Sequence, residues 1–147
     1  MTEEIRHYPM YLHGVKQVYP NVPPGSPIYA RSVVAGNLVF VSGMTGQDTE
    51  TGEITAHDIA GQMLVALDKI RAALEEAGSS MNNIIKTLML LKNLGDYPVM
   101  RKTELEYYQK YAPFLVEQPP ASTFIQVASL ARPEYLIEME VTAVLSR

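Results

Sequence analysis

Two acidic residues stand where a β-strand should be apolar. Glu138 and Glu140 lie two apart in the run Ile137-Glu138-Met139-Glu140-Val141, and in an extended chain residues two apart point to the same face. On a face open to water they are ordinary surface acids. On a face covered by a neighbouring subunit, at least one must be paired or protonatable, which makes it a candidate acid/base group. Glu138 is the sharper candidate. Other chemistries have few residues to work with. The absence of cysteine removes thiolate nucleophiles, iron–sulfur sites and Cys-ligated zinc. His7, His13 and His57 lack the paired spacing of metal ligands, so they read as surface or loop histidines and no metal is expected. There is no phosphate-binding glycine loop, dinucleotide fingerprint or G-x-S-x-G elbow, and no cofactor is expected.

The elements that must position Glu138 belong to a small protein. At 147 residues, with 47% hydrophobic and 19% charged, the chain reads as a single domain over residues 1–147 with enough apolar material for a core. A net charge of −4 with scattered cations argues against nucleic acid as a partner, because such binding relies on clustered positive charge. No stretch reaches about 18 uninterrupted apolar residues, and the first residues, Met1-Thr2-Glu3-Glu4, are acidic where a signal peptide is basic. The expectation is a cytoplasmic protein with no membrane partner.

Residues 1–28 hold Pro9, Pro20, Pro23, Pro24 and Pro27 and read as an extended arm, with at most a short strand near Val15 to Tyr19. From Tyr29 to Ser42 two strands join through a tight turn at Ala35-Gly36-Asn37. Within them Leu38-Val39-Phe40-Val41 is apolar at every position, the pattern of a strand buried on both faces. Thr55-Ala56-His57-Asp58 begins a helix whose stripe is Ile59, Met63, Leu67, Ile70 and Leu74, with Asp68, Lys69, Arg71, Glu75 and Glu76 on the other side and Gly78 ending it. Ile84 to Lys92 predicts a central strand. Gly95 to Tyr111 predicts a second helix with Tyr97, Met100, Leu105, Tyr108 and Tyr111 inward. Strands follow at Ser122 to Ala128 and Tyr135 to Ser146, the last with Ile137, Met139, Val141 and Ala143 on one face. The order is α+β, two ββα-like halves with helices on one face of a mixed sheet.

Several of these stretches, taken in order, resemble the RidA (YjgF) family of reactive-intermediate deaminases. They are Tyr29-Ala30-Arg31-Ser32, Gly36-Asn37-Leu38-Val39-Phe40-Val41-Ser42-Gly43, Thr51-Gly52-Glu53, Ile84-Ile85-Lys86-Thr87, Pro120-Ala121-Ser122-Thr123 and Ile137-Glu138-Met139-Glu140. The likeness covers about residues 26 to 145. It implies a chorismate-mutase-like fold assembled as a homotrimer, with strands facing a central barrel and small-molecule clefts between subunits. It also implies cofactor-free hydrolysis of 2-imino or 2-enamino acids to 2-keto acids and ammonia. Carried over by position, Glu138 matches the acid that holds water, Tyr29 the tyrosine lining the cleft, and Ser42-Gly43 the turn whose backbone contacts ligand.

One position departs from that pattern. Where the deaminating members read Pro-Ala-Arg-Ser, this chain reads Pro120-Ala121-Ser122-Thr123, so Ser122 occupies the place of the carboxylate clamp. Loss of such a charge-assisted pair costs about 2–5 kcal/mol, which weakens the expectation of standard 2-imino acid deamination. Phe124 stands where the family often has a small residue, implying a narrower or more apolar pocket. Two cations are candidates for a relocated anion contact. Arg31 shares a strand face with Tyr29, and Arg101 stands where the family often has asparagine. The expected function is hydrolysis of an enamine or imine with Glu138 positioning water. The alternative is a non-catalytic trimer that binds a small metabolite or a protein partner.

Overall fold

A computed structural model describes residues 4–146; Met1, Thr2 and Glu3 of the arm, together with Arg147, lie outside the described residues. The first half runs β1 (Ile5–Pro9), β2 (Tyr11–Leu12), β3 (Val15–Lys16), β4 (Ala30–Ala35), β5 (Leu38–Thr45) and α1 (Ile59–Glu76). The second runs β6 (Ile84–Leu91), α2 (Tyr97–Tyr111), α3 (Phe114–Glu117), β7 (Ala121–Gln126) and β8 (Ile137–Val144). Six strands make one sheet in the order β1-β4-β5-β8-β6-β7. Among the described residues only β6 and β7 run parallel, and α2 and α3 form their crossover. The sheet is therefore mixed and the fold α+β.

Each element follows from local chemistry. Gly36 turns β4 into β5 at φ 59°, a positive value at the first central position, which a two-residue hairpin loop favours. Asp58 caps α1, its carboxylate accepting from the Gly61 amide at 2.9 Å, so the cap is this acid rather than the Thr55 hydroxyl. At the far end Gly78 takes φ 87° and the Ser79 amide returns to the Leu74 carbonyl at 2.8 Å. The predicted stripe of α1 is buried throughout and packs on Val39, Met89, Ile137, Met139 and Val141 from the sheet.

Three expectations change. The N-terminal arm is not merely extended: β1 pairs antiparallel with β4, and β2 and β3 form a small hairpin of their own. Prolines permit this because Pro9 sits at the end of an edge strand, where a missing amide costs least. Second, the strand read as buried on both faces is buried on one, since Val39 and Val41 are enclosed while Leu38 and Phe40 are 37% and 45% exposed. Third, Leu105 points outward from α2 and Tyr107 takes the inward place, because Leu105 lies five residues after Met100, well past one 3.6-residue turn, whereas Tyr107 lies seven after it, close to two turns.

The helices cover one sheet face only. The other carries Leu38, Phe40 and Ile125, all well exposed, beside Glu138, Glu140 and Thr142. No helix among the described residues is long and apolar enough to cross a membrane. Leu67 is fully buried at the centre of the α1–sheet contact, so Leu67→Ala should destabilise the protein by about 2–5 kcal/mol. Urea unfolding of the two proteins at one concentration checks this.

Candidate functional site

Glu138 gains its position from a fault in the sheet. Between β5 and β8 the register runs Val41↔Val141 and then Met44↔Met139, so Ser42 and Gly43 together stand opposite one residue, Glu140. This is a bulge, a device that bends a strand and re-aims side chains. The missing side chain at Gly43 is required there, since a Cβ would collide with the Glu138 carboxyl. β4 pairs with β5 only as far as Ser32↔Val41. Past that point Gly43, Met44 and Thr45 have no strand neighbour on that side, and a cleft of about 400 Å³ opens.

Tyr29, Arg31 and Gly43 line this cleft together with Glu138. Ser42 does not line it; its hydroxyl donates to the Ala30 carbonyl at 2.6 Å and fixes the start of β4. Arg31 forms a loose pair with Glu76 at 3.6 Å. Burial raises the Glu138 carboxyl above its ordinary value, helped by the neighbouring charge of Glu140 and opposed by Lys69. Among the described residues no hydrogen bond or ion pair engages that carboxylate. Tyr29 is likewise raised, first by burial and then by Glu138.

Ser122, Arg101 and Phe124 lie elsewhere in the chain. Ser122 and Arg101 line a second, smaller hollow of about 220 Å³ beside Tyr108 and Pro120. Arg101 donates to the Ser122 hydroxyl oxygen at 3.2 Å, to the Tyr97 hydroxyl at 3.1 Å and to Glu104 at 2.9 Å. The Ser122 hydroxyl is also within 3.0 Å of the Thr87 hydroxyl. Phe124 lines neither hollow, its ring packing on Tyr97 with centroids 4.8 Å apart. One chain therefore brings Glu138, Tyr29, Arg31 and Gly43 together, and Ser122 and Arg101 together, but keeps the two groups apart.

Three contributors escape sequence reading. Lys69 lines the Glu138 cleft although its spacing on α1 is that of a solvent-facing lysine. Gln62 is fully buried inside the apolar stripe, its amide donating to the carbonyls of Ala56 and Glu134 and its oxygen accepting from the Leu136 amide at 2.8 Å. It ties the approach to β8 onto α1, and only a polar residue at a stripe position hinted at it. The β2–β3 hairpin supplies Tyr11, Leu12 and His13 to the cleft wall. It docks through the Gly14 amide on the Thr49 carbonyl at 3.1 Å.

This combination, a mixed six-stranded sheet backed by helices on one face with an acid at a bulged strand, defines the class. Residues 21–145 match the Endoribonuclease L-PSP family, and the chain belongs to this family, also called RidA or YjgF. It is 37% identical over 115 residues to a RutC family protein of Pyrococcus abyssi, covering 78% of this chain and 84% of that one. It is 32% identical to the 2-iminobutanoate/2-iminopropanoate deaminase of Escherichia coli over 84% of this chain and 92% of the relative. The crystal structure of E. coli TdcF with bound serine superimposes with a TM-score of 0.73 at 28% identity, over 85% of this chain and 94% of that one. The β2–β3 hairpin falls before the family match begins.

A carboxyl raised above its ordinary value of 4.5 favours the folded state only while it is protonated. The favourable share is complete below 4.5 and lost as pH rises through the raised folded value. Glu138→Gln removes this loss. Urea unfolding from acid to neutral pH should show wild type losing stability relative to Glu138→Gln; parallel curves would refute the assignment.

Proposed function

We propose that this protein is a homotrimeric, cofactor-free hydrolase of small imine or enamine metabolites, with each site completed by two subunits. Glu138 holds the attacking water and passes its protons. The substrate carboxylate is held by the Arg101 guanidinium, delivered by the neighbouring subunit. The observation that carries this reading is the 3.2 Å contact from Arg101 to the Ser122 hydroxyl. A guanidinium thus stands beside the position at which the family resemblance places an arginine, supplied from α2 instead of β7. A small residue at 122 leaves space for it.

Two further features support the assembly, and two more support the reaction and its anion anchor. Within one chain the Glu138 cleft and the Arg101 hollow are separate, so a second copy is needed to join them. The sheet face bearing Leu38, Phe40 and Ile125 is apolar and exposed, and burying such a face stabilises association. The similar E. coli enzyme is a 2-imino acid deaminase by name, and TdcF holds serine, a small amino acid. Arg101 is oriented by Tyr97 and Glu104, which fixes the fork before ligand arrives and lowers the ordering cost.

The purified protein should be trimeric by native mass spectrometry and release ammonia and 2-keto acid from imino acids generated in situ. Arg101→Ala should raise KM about thirtyfold to several thousandfold, and Glu138→Gln should lower kcat about 10²–10⁴-fold. Silence across several imines, with Ser122→Arg restoring nothing, would sink the hydrolase reading. A retained small molecule without turnover would establish the binding trimer in its place.

A further inference from the structure

We propose that Lys69 acts as a covalent catalyst in the Glu138 cleft, its amine displacing ammonia from a bound imine before water releases the keto acid. This rests on the imine-hydrolase reading above and adds a nucleophile that reading does not contain. The geometry is specific. Lys69 rises from the flank of α1 into the cleft wall that also holds Glu138, Arg31 and Tyr29. Its Nζ donates one hydrogen bond, to the backbone carbonyl of Gln47 at 2.8 Å, and among the described residues it forms no ion pair. A lysine placed for charge alone would be expected to meet a carboxylate. A carbonyl acceptor accommodates the neutral amine as well as the ammonium, because a neutral amine still donates one proton and keeps its lone pair.

The electrostatics agree with that geometry. Burial lowers the Lys69 amine from 10.5 to about 8, with Arg31 acting in the same direction and Asp48 and Glu138 opposing. Those three, with Glu50, His13 and the tyrosines Tyr11, Tyr29 and Tyr135 on the remaining cleft wall, are the charged or titratable groups around it from β4 and the residue before it, the loop after β5, β8 and its approach, and the hairpin. Part of the protein therefore holds a free amine near neutral pH, the condition that makes lysine nucleophilic.

The steps balance without any oxidant or reductant. The Nζ lone pair attacks the imine carbon, and the C=N electron pair moves to the substrate nitrogen, which takes a proton. The resulting gem-diamine expels ammonia as the Nζ–C double bond forms. Water held by Glu138 then adds to that carbon, and the carbinolamine collapses to the 2-keto acid while Nζ leaves as the free amine. Glu138, unpaired and able to carry a proton, serves each transfer. The sum is imine plus water giving keto acid plus ammonia, with Lys69 unchanged.

The same amine must also condense with the product, which gives a direct test. Full-length protein incubated with 2-oxobutanoate and sodium cyanoborohydride should gain one reduced keto-acid adduct, mapped by peptide mass spectrometry to Lys69. Labelling should rise with pH around a midpoint near 8. Lys69→Arg keeps the positive charge but has no nucleophilic amine, so it should lose the adduct and slow ammonia release as much as Lys69→Gln does. Circular dichroism confirms that both variants fold. No adduct at Lys69, or an Arg variant as active as wild type, overturns the proposal while leaving imine hydrolysis by Glu138 intact. Wild type without ammonia release removes the hydrolase reading instead, whether or not the adduct forms.

Discussion

The close approach of the Glu138 carboxyl to the bare backbone at Gly43 is the contact on which the site depends. An acid inside an apolar strand has two ordinary outcomes, open solvent or a salt bridge, and Glu138 is instead half-buried in a cleft with no ion pair among the described residues. It is tolerated because the bulge at Ser42–Gly43 bends β5 away from β4 and leaves a half-enclosed space that a polar group can occupy. A side chain at residue 43 would fill that space, and a regular β5 would pair there with β4. Glycine, bulge and carboxylate are one arrangement, and none of the three is explained without the others.

Around that contact the molecule divides its charges. The cleft of Glu138 holds Arg31 and Lys69 and receives its far wall from the loop after β5 and from the β2–β3 hairpin. The second hollow holds Arg101, already engaged by Glu104, Tyr97 and Ser122. A fixed guanidinium and a polarizable acid are complementary in role, since one orients a ligand and the other moves protons. In the proposed trimer they meet across subunits, and the exposed apolar sheet face becomes the surface that brings them together.

Much of the fold was legible in the residues. The stripe of α1, the alternation of β8 and the Gly36 turn each carry a period or a backbone requirement that local sequence states directly. The failures share a cause. β1 and the hairpin are held by partners distant in sequence, and proline content alone suggested an irregular arm. Leu38 and Phe40 are apolar without being buried in one chain, because hydrophobicity reports that a surface wants cover without saying what provides it. Of the site, Glu138 stood out as a charge in a wrong place. Lys69 did not, since a lysine on a polar helix face looks ordinary until the loop carrying Gln47 folds over it. Arg101 was visible only as a cation at an unusual position, and its contact with Ser122 needs the crossover geometry between α2 and β7.

The β1 strand and the hairpin that walls the cleft are consecutive, separated only by Met10. β1 is an edge strand, exposed along most of its length and bonded to β4 alone, which places it at the low end of local stability. The hairpin keeps its own anchor, the Gly14 amide on the Thr49 carbonyl. The outermost strand of the sheet and a wall of the cleft are thus neighbouring parts of one continuous segment, joined through the buried Met10.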